Sequence, residues 1–321
     1  MCTIFDIYKK INITITTNYY LGSYKNNIYN KMQIYSPEQS VNHPLYNRKG
    51  VNVSIKRDDM IHPFISGNKW RKLKYNLIKA KEQGLTKIVT FGGAWSNHLL
   101  ATACAGASYQ LSTKAFVRGE EVNNPVLSMC KLFGMELTFI PRDDYKDKRR
   151  VYDQMDNKDE YYFIDEGGAG YEAIQGCTVL VGELHNPYDH VLCAAGTGTT
   201  AAGIAIGLGT LAKVPRLHII PVLKGGESIW DELKLYRAPI NNCDIHTDYH
   251  FGGYAKVKPE LIAFIKDFVS TTGIMIEPTY TGKALFALHD LIEKDYFKKG
   301  SNILFIHTGG LTGYLGMLDK F

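Results

Sequence analysis

The sequence predicts an α/β protein, with parallel sheets wrapped by helices and enough chain for two lobes that share a cleft. Three observations carry this. Strand-like apolar runs alternate with helix-length amphipathic stretches from about residue 51 onward, the pattern of strand–helix–strand units. The chain has 321 residues, beyond the ~250–300 at which a single hydrophobic core stops growing. Three of the strands run directly into loops of small residues, and in such folds ligands sit beyond the carboxyl ends of strands.

Taken in order, the first strand falls at 51–57. A helix follows from about 69 to 82, with Leu73, Leu77 and Ile78 on one face. The apolar run 87–91 reads as a buried strand, and Ser96 or Asn97 can open the next helix, which extends through residue 107. Then come a strand at 114–117, a helix at 125–133, and strands at 136–140 and 161–164. The second half repeats the alternation, with strands at 191–195, 217–222 and 303–307 and helices near 171–184, 200–211, 259–271 and 283–293.

Residues 1–31 stand apart. They are crowded with Ile, Asn, Lys, Tyr and Phe and hold neither period, so they read as an extension outside the fold, with Met32 as a candidate start of translation. Lys9, Lys10 and Asn12 interrupt their apolar residues, which argues against a secretory signal.

Composition narrows the function classes. Hydrophobic residues make up 45% and charged residues 21% of the chain, ordinary for a globular protein, and no apolar run reaches the ~18 residues a bilayer span requires. A net charge of +5 suits small anionic ligands, but no basic stripe or module marks nucleic-acid binding. The basic runs 69–74 and 146–150 read on their own as solvated helix faces. Six scattered cysteines without a C-x-x-C pair point to buried thiols in a reducing, cytoplasmic setting. His246 and His250 are four apart, but the intervening Asp248 and the following Gly252 and Gly253 oppose a helix, so no metal site is expected.

The three loops are Phe91-Gly92-Gly93-Ala94-Trp95-Ser96-Asn97-His98, Ala195-Gly196-Thr197-Gly198-Thr199-Thr200 and His307-Thr308-Gly309-Gly310. Glycines allow close backbone approach, hydroxyls donate hydrogen bonds, and a helix start offers unpaired N–H groups to an anion. The middle loop is the candidate phosphate cradle. It also fits G-x-G-x-x-A, but the acidic residue expected after the following strand is missing: Leu223 and Lys224 stand there, and the next acid is Glu227. That weakens the dinucleotide alternative.

These residues resemble a known family, the pyridoxal 5′-phosphate (PLP) dependent D-cysteine desulfhydrases and 1-aminocyclopropane-1-carboxylate (ACC) deaminases, of the tryptophan-synthase β-subunit fold. Four segments carry the resemblance in the family's order: Ile55-Lys56-Arg57-Asp58-Asp59 with Gly67-Asn68-Lys69-x-Arg71-Lys72-Leu73; Ser96-Asn97-His98; Pro278-Thr279-Tyr280-Thr281-Gly282-Lys283; and Ile306-His307-Thr308-Gly309-Gly310. The resemblance implies fold type II, with two open, mostly parallel sheets wrapped by helices and the active site between two domains. Residues 32–69 with 165–321 would form the large cofactor-binding domain and 70–164 the small one. It further implies that Lys69 is the Schiff-base lysine and that Asn97 bonds the cofactor's ring oxygen. Gly196, Thr197, Gly198, Thr199 and Thr200 would bind the phosphate, and Thr308 would face the pyridine nitrogen. Ser96 would contact the substrate carboxylate, Tyr280 and Tyr254 would lie near the reacting carbon, and the protein would be a homodimer acting on a small amino acid.

A lysine amine released beside a substrate's Cα–H is placed to act as a general base. A neutral hydroxyl at the ring nitrogen weakens the electron sink, which suits expulsion of a good β-leaving group. ACC deaminases typically carry Glu after the active-site tyrosine and Leu before the final Gly-Gly, whereas this chain has Thr281 and Thr308. The expected reaction is therefore β-elimination of D-cysteine to pyruvate, ammonia and sulfide, with ACC deamination as the alternative. Trp95 stands where the family commonly has Gln, which leaves the substrate open. A PLP-binding protein with little catalysis is the alternative of another class.

Overall fold

This computed structural model describes residues 34–321, with the fold contained in the unit Ser36–Phe321. The expectations for residues 1–31 and for a start at Met32 lie outside the described residues.

Two sheets form the frame. The larger has the order β1-β2-β10-β7-β8-β9, built from β1 (Glu38–Ser40), β2 (Asn52–Lys56), β7 (His190–Ala195), β8 (Arg216–Pro221), β9 (Cys243–Ile245) and β10 (Asn302–Ile306). Only β1 runs antiparallel. The smaller sheet is all parallel, with order β5-β4-β3-β6: β3 (Lys87–Gly93), β4 (Ser112–Arg118), β5 (Glu136–Ile140) and β6 (Tyr161–Ile164). Parallel strands buried on both faces read as continuous apolar runs, as Val191, Leu192, Cys193, Ala194 and Ala195 do in β7.

The helices are α1 (Pro44–Lys49), α2 (Asn68–Glu82), α3 (Asn97–Tyr109), α4 (Pro125–Leu132), α5 (Lys148–Asp153), α6 (Tyr171–Val179), α7 (Thr199–Leu208), α8 (Ser228–Leu235), α9 (Pro259–Thr272) and α10 (Thr281–Glu293). One core joins α9 and α10 to the large sheet through Phe268, Leu285, Leu288 and Phe305; a second gathers α6, α7 and α8 around Val191, Ala201, Ile204 and Leu304. The small sheet has its own cores, around Leu99, Val117 and Leu127 and around Phe91, Phe116 and Tyr145. No described helix is long and apolar enough to cross a membrane.

Register places the loops. Ile306 pairs with both Lys56 and Cys193, so the segments after β2, β10 and β7 leave the large sheet along one edge. In the small sheet Gly93 pairs with Arg118 and Arg118 with Ile140, which aligns the exits of β3, β4 and β5.

Several sequence expectations change in detail. The helix expected at 171–184 is α-helical only to Val179 and tightens to a 3-10 turn at Leu180–Glu183. The run at 69–74 is not simply a solvated face. Arg71 is 1% exposed and bonds Asp58 at 2.5 and 2.6 Å and Glu183 at 2.9 Å twice, while Lys56 reaches Glu183 at 3.2 Å. The motif residues around Lys69 therefore anchor its helix, and removing one partner of such a buried pair costs ~3–5 kcal/mol. The run at 146–150, by contrast, holds exposed ion pairs with Asp143, Asp153 and Asp144, apart from the half-buried Lys148, which pairs with Glu166. The described cysteines, Cys104, Cys130, Cys177, Cys193 and Cys243, are free and buried.

Candidate active site

The exits of both sheets line one cavity of about 460 Å³, within the ~300–1,000 Å³ usual for small-molecule sites. Lys69, Ser96, Asn97, Gly196, Thr197, Gly198, Thr200, Tyr254, Tyr280 and Thr308 all line it. Thr199 does not. Its hydroxyl donates to Glu232 Oε1 at 2.8 Å and its side chain is fully buried, so any contribution to an anion must come from its backbone N–H at the start of α7.

Lys69 lies in the first turn of α2. Gly67 caps that helix with φ 60° and ψ −132°, a combination open only to glycine, and a Cβ there would sit 1.8 Å from the Thr308 carbonyl oxygen. The Asn68 N–H donates to that same oxygen at 3.2 Å, and Asn68 Nδ2 donates to Thr200 Oγ1 at 2.9 Å. The Lys69 segment is thus laid against the Thr308 loop on one side and the start of α7 on the other.

Lys69 Nζ and Lys72 Nζ converge on the Gly167 carbonyl, at 3.2 and 3.1 Å. Burial, with the Lys72 charge beside it, pushes the Lys69 amine down to about 7. A reactive share of it is therefore the neutral, nucleophilic form near pH 7. Lys72 is lowered as well, by burial, and His98 is held well below its ordinary value by burial and by both lysines. Thr90 Oγ1 donates to the Ile164 carbonyl at 2.7 Å, so it accepts from His98 Nε2 at 2.8 Å; His98 Nδ1 is left an unprotonated acceptor, buried and without a partner among the described residues. Neither Lys72 nor His98 stands out in the sequence as a site residue, because a basic run and a helix-start histidine are ordinary surface features.

Ser96 caps α3, its hydroxyl oxygen accepting from the Leu99 N–H at 3.4 Å and its proton remaining free to donate. The Asn97 carboxamide oxygen accepts from Thr312 Oγ1 at 2.8 Å, and this contact turns the NH2 group toward its other neighbours. That NH2 has no protein acceptor among the described residues.

Tyr280 and Tyr254 meet edge to face, ring centroids 6.2 Å apart. Burial and the neighbouring Tyr254 hold the Tyr280 phenol well above its ordinary value, so it stays protonated across the neutral range. Glu277, absent from the sequence expectations, positions it: the buried carboxylate accepts from the N–H groups of Thr279, Tyr280 and Thr281, each at 2.7 Å. Thr281 does not line the cavity. Fully buried, it closes the same turn by accepting from the Glu277 N–H at 3.0 Å. Lys283, also buried, donates to the carbonyls of His250 at 2.9 Å and Gly253 at 2.7 Å and so clamps the loop that carries Tyr254.

His246 is joined not by His250 but by His218 and Asp244, whose ligand atoms lie within 4.8 Å of its own. His218 is bonded to a histidine on each side, His190 and His246, both at 3.0 Å, and Asp244 holds Arg216, so these groups satisfy one another.

A tuned amine, a glycine-rich helix start with unpaired N–H groups, a free amide donor and a hydroxyl at Thr308 fit pyridoxal phosphate: an aldehyde needs the neutral amine and a phosphate the N–H groups. Lys69, Asn97, Thr308 and the 196–200 loop would hold it. Fold and donor set together define a PLP enzyme of fold type II. The comparisons agree. The family model described as pyridoxal-phosphate dependent enzyme matches residues 41–309, and the chain belongs to that family. A putative ACC deaminase of Thermotoga maritima is 32% identical over 290 residues, covering 84% of this chain and 92% of the relative. The bifunctional D-cysteine desulfhydrase/ACC deaminase of Arabidopsis thaliana is 29% identical over 84% of this chain and 75% of its own. The crystal structure of an ACC deaminase homologue superposes with a TM-score of 0.79 at 28% identity, covering 94% of this chain and 98% of that one. The chain is thus a PLP-dependent lyase of the ACC deaminase and D-cysteine desulfhydrase group.

Proposed function

We propose that this enzyme catalyses β-elimination from D-cysteine, giving pyruvate, ammonia and sulfide. The observation that carries the reading is Thr308. It lines the cavity, and its carbonyl accepts from the N–H of Asn68, the residue before Lys69; a neutral hydroxyl facing the ring nitrogen would not hold a proton there as a carboxylate would. The cofactor, when bound, supplies the electron sink for charge developing at the substrate Cα.

The chain's own residues do the rest. Ser96 donates its free O–H to the substrate carboxylate, which also faces the positive start of α3. Lys69, with its lowered amine, takes the Cα proton. The electron pair moves to form the Cα–Cβ double bond as the Cβ–S bond breaks and the thiolate leaves. Tyr280, kept protonated, offers its O–H to the departing sulfur, and hydrolysis of the released enamine gives pyruvate and ammonia.

ACC deamination is the second reading, favoured by the name of the Thermotoga maritima relative. Holoenzyme assayed with D-cysteine, L-cysteine and ACC decides: pyruvate with sulfide from D-cysteine supports the proposal, and α-ketobutyrate from ACC with no pyruvate from D-cysteine overturns it. Assembly as a homodimer is part of the same proposal, checked by light scattering.

A further inference from the structure

Beyond the donors assigned above, the cavity carries two guanidinium groups that a three-carbon zwitterion does not use. Arg118 ends β4 and Arg142 lies two residues past the end of β5, so both stand at the carboxyl edge of the small sheet, and both line the cavity. Among the described residues Arg118 makes no ion pair. Its guanidinium lies over the Tyr145 ring, Cζ 5.5 Å from the centroid, and Nη2 is 3.5 Å from where a Cβ on Gly93 would be. Arg142 lies across Gly119, its Nη2 3.2 Å from the position of a Cβ there. Its ion pair with Glu120 is 3.5 Å long between side chains 65% and 79% exposed, too loose to neutralise it. Glu166, an acid on the same cavity wall, faces Lys148 at 3.3 Å.

Two uncompensated cations on one wall of a ligand cavity call for an anion, and a guanidinium fork matches a carboxylate in shape as well as charge. The substrate's α-carboxylate already has Ser96 and the start of α3. We propose that Arg118 and Arg142 form a second anion subsite, so that amino acids whose β-substituent carries a carboxylate bind more tightly than their uncharged analogues. Trp95, 41% exposed on the cavity wall, gives that longer substituent an apolar face. This inference rests on the elimination reading only for the class of reaction; the subsite itself is a matter of binding.

The test is equilibrium binding to holoenzyme, followed by the change in cofactor absorbance. The pairs are aspartate against asparagine and glutamate against glutamine, each as D and L enantiomers. At least one acid should bind tenfold or more tightly than its amide, and the ratio should fall toward one in Arg118→Met and in Arg142→Met, with an intermediate value in Arg118→Lys. No preference in either pair, no response to either acid, or a preference that survives both methionine variants overturns the subsite. Pyruvate release from D-cysteine is measured alongside. A preserved acid preference without pyruvate sinks the elimination reading and leaves the subsite standing, whereas pyruvate without the preference sinks the subsite alone.

Discussion

Replacing Gly67 by alanine tests how the lysine-bearing helix is fixed to the cofactor loop. The added Cβ would lie 1.8 Å from the Thr308 carbonyl oxygen and 2.7 Å from the Gly309 nitrogen. Carbon and carbonyl oxygen settle at ~3.3 Å or more, so the two segments must part by roughly 1.5 Å. That breaks the Asn68 N–H bond to Thr308, now 3.2 Å. Alanine held at φ 60°, ψ −132°, a strained region natural to glycine, costs ~1–3 kcal/mol and an orphaned buried group ~1–3 kcal/mol, together roughly 2–6 kcal/mol. Gly84→Ala is the control: its φ is also positive, at +72°, but nothing lies within 4 Å of the new Cβ, so only the ~1–2 kcal/mol of a positive-φ alanine is expected. Urea unfolding of both variants measures the difference, and D-cysteine turnover should fall ~100-fold in Gly67→Ala, as a misplacement of about 1 Å commonly produces. If the two variants unfold at the same urea concentration and Gly67→Ala keeps its activity, Lys69 is not positioned through Thr308.

Three further outcomes are expected from the same geometry. The Lys69 amine, at about 7 in place of 10.5, is protonated and unreactive below that value and neutral above it; reconstitution of apoenzyme with PLP should therefore speed up about tenfold per pH unit up to about pH 7 and then level, and a rise continuing to pH 10 would show an untuned lysine. Glu277→Gln replaces an all-acceptor group with one that presents an NH2 to three backbone donors; it should cost ~2–4 kcal/mol in urea unfolding and lower kcat more than it changes KM, because Tyr280 loses its placement. Lys283→Met leaves the carbonyls of His250 and Gly253 without their shared donor, and faster hydrogen exchange confined to residues 250–254 is the expected signature.

Local sequence carries the site well wherever one short segment does one job. Lys69, Asn97, Thr308 and the 196–200 loop each sit at a strand exit or helix start, and the alternation of apolar runs places those exits on shared sheet edges. Partnerships across the chain are not legible in it. Arg71 and Lys72 look like solvated charge until Glu183, more than a hundred residues on, is seen to bond Arg71 and Gly167 to accept from Lys72. Thr281 reads in the sequence as a marker of substrate choice, yet its hydroxyl is spent inside the Glu277 turn. Thr199 belongs to a phosphate-loop pattern, but Glu232 draws its side chain away. The elements missing from the sequence reading, β1, β9, α1, α5 and α8, run three to eight residues, a length at which a hydrophobic period registers only weakly.

The central claim is that Lys69, and not the more deeply buried Lys72 three residues away, carries the cofactor. Borohydride reduction of the holoenzyme followed by peptide mass spectrometry tests it directly, with visible spectra of the wild type and Lys69→Ala recorded before and after D-cysteine. The account predicts a pyridoxyl adduct on Lys69, a visible band that Lys69→Ala lacks, and a shift of the wild-type band on adding D-cysteine. An adduct on Lys72 or elsewhere, with an unchanged band in Lys69→Ala, would contradict it.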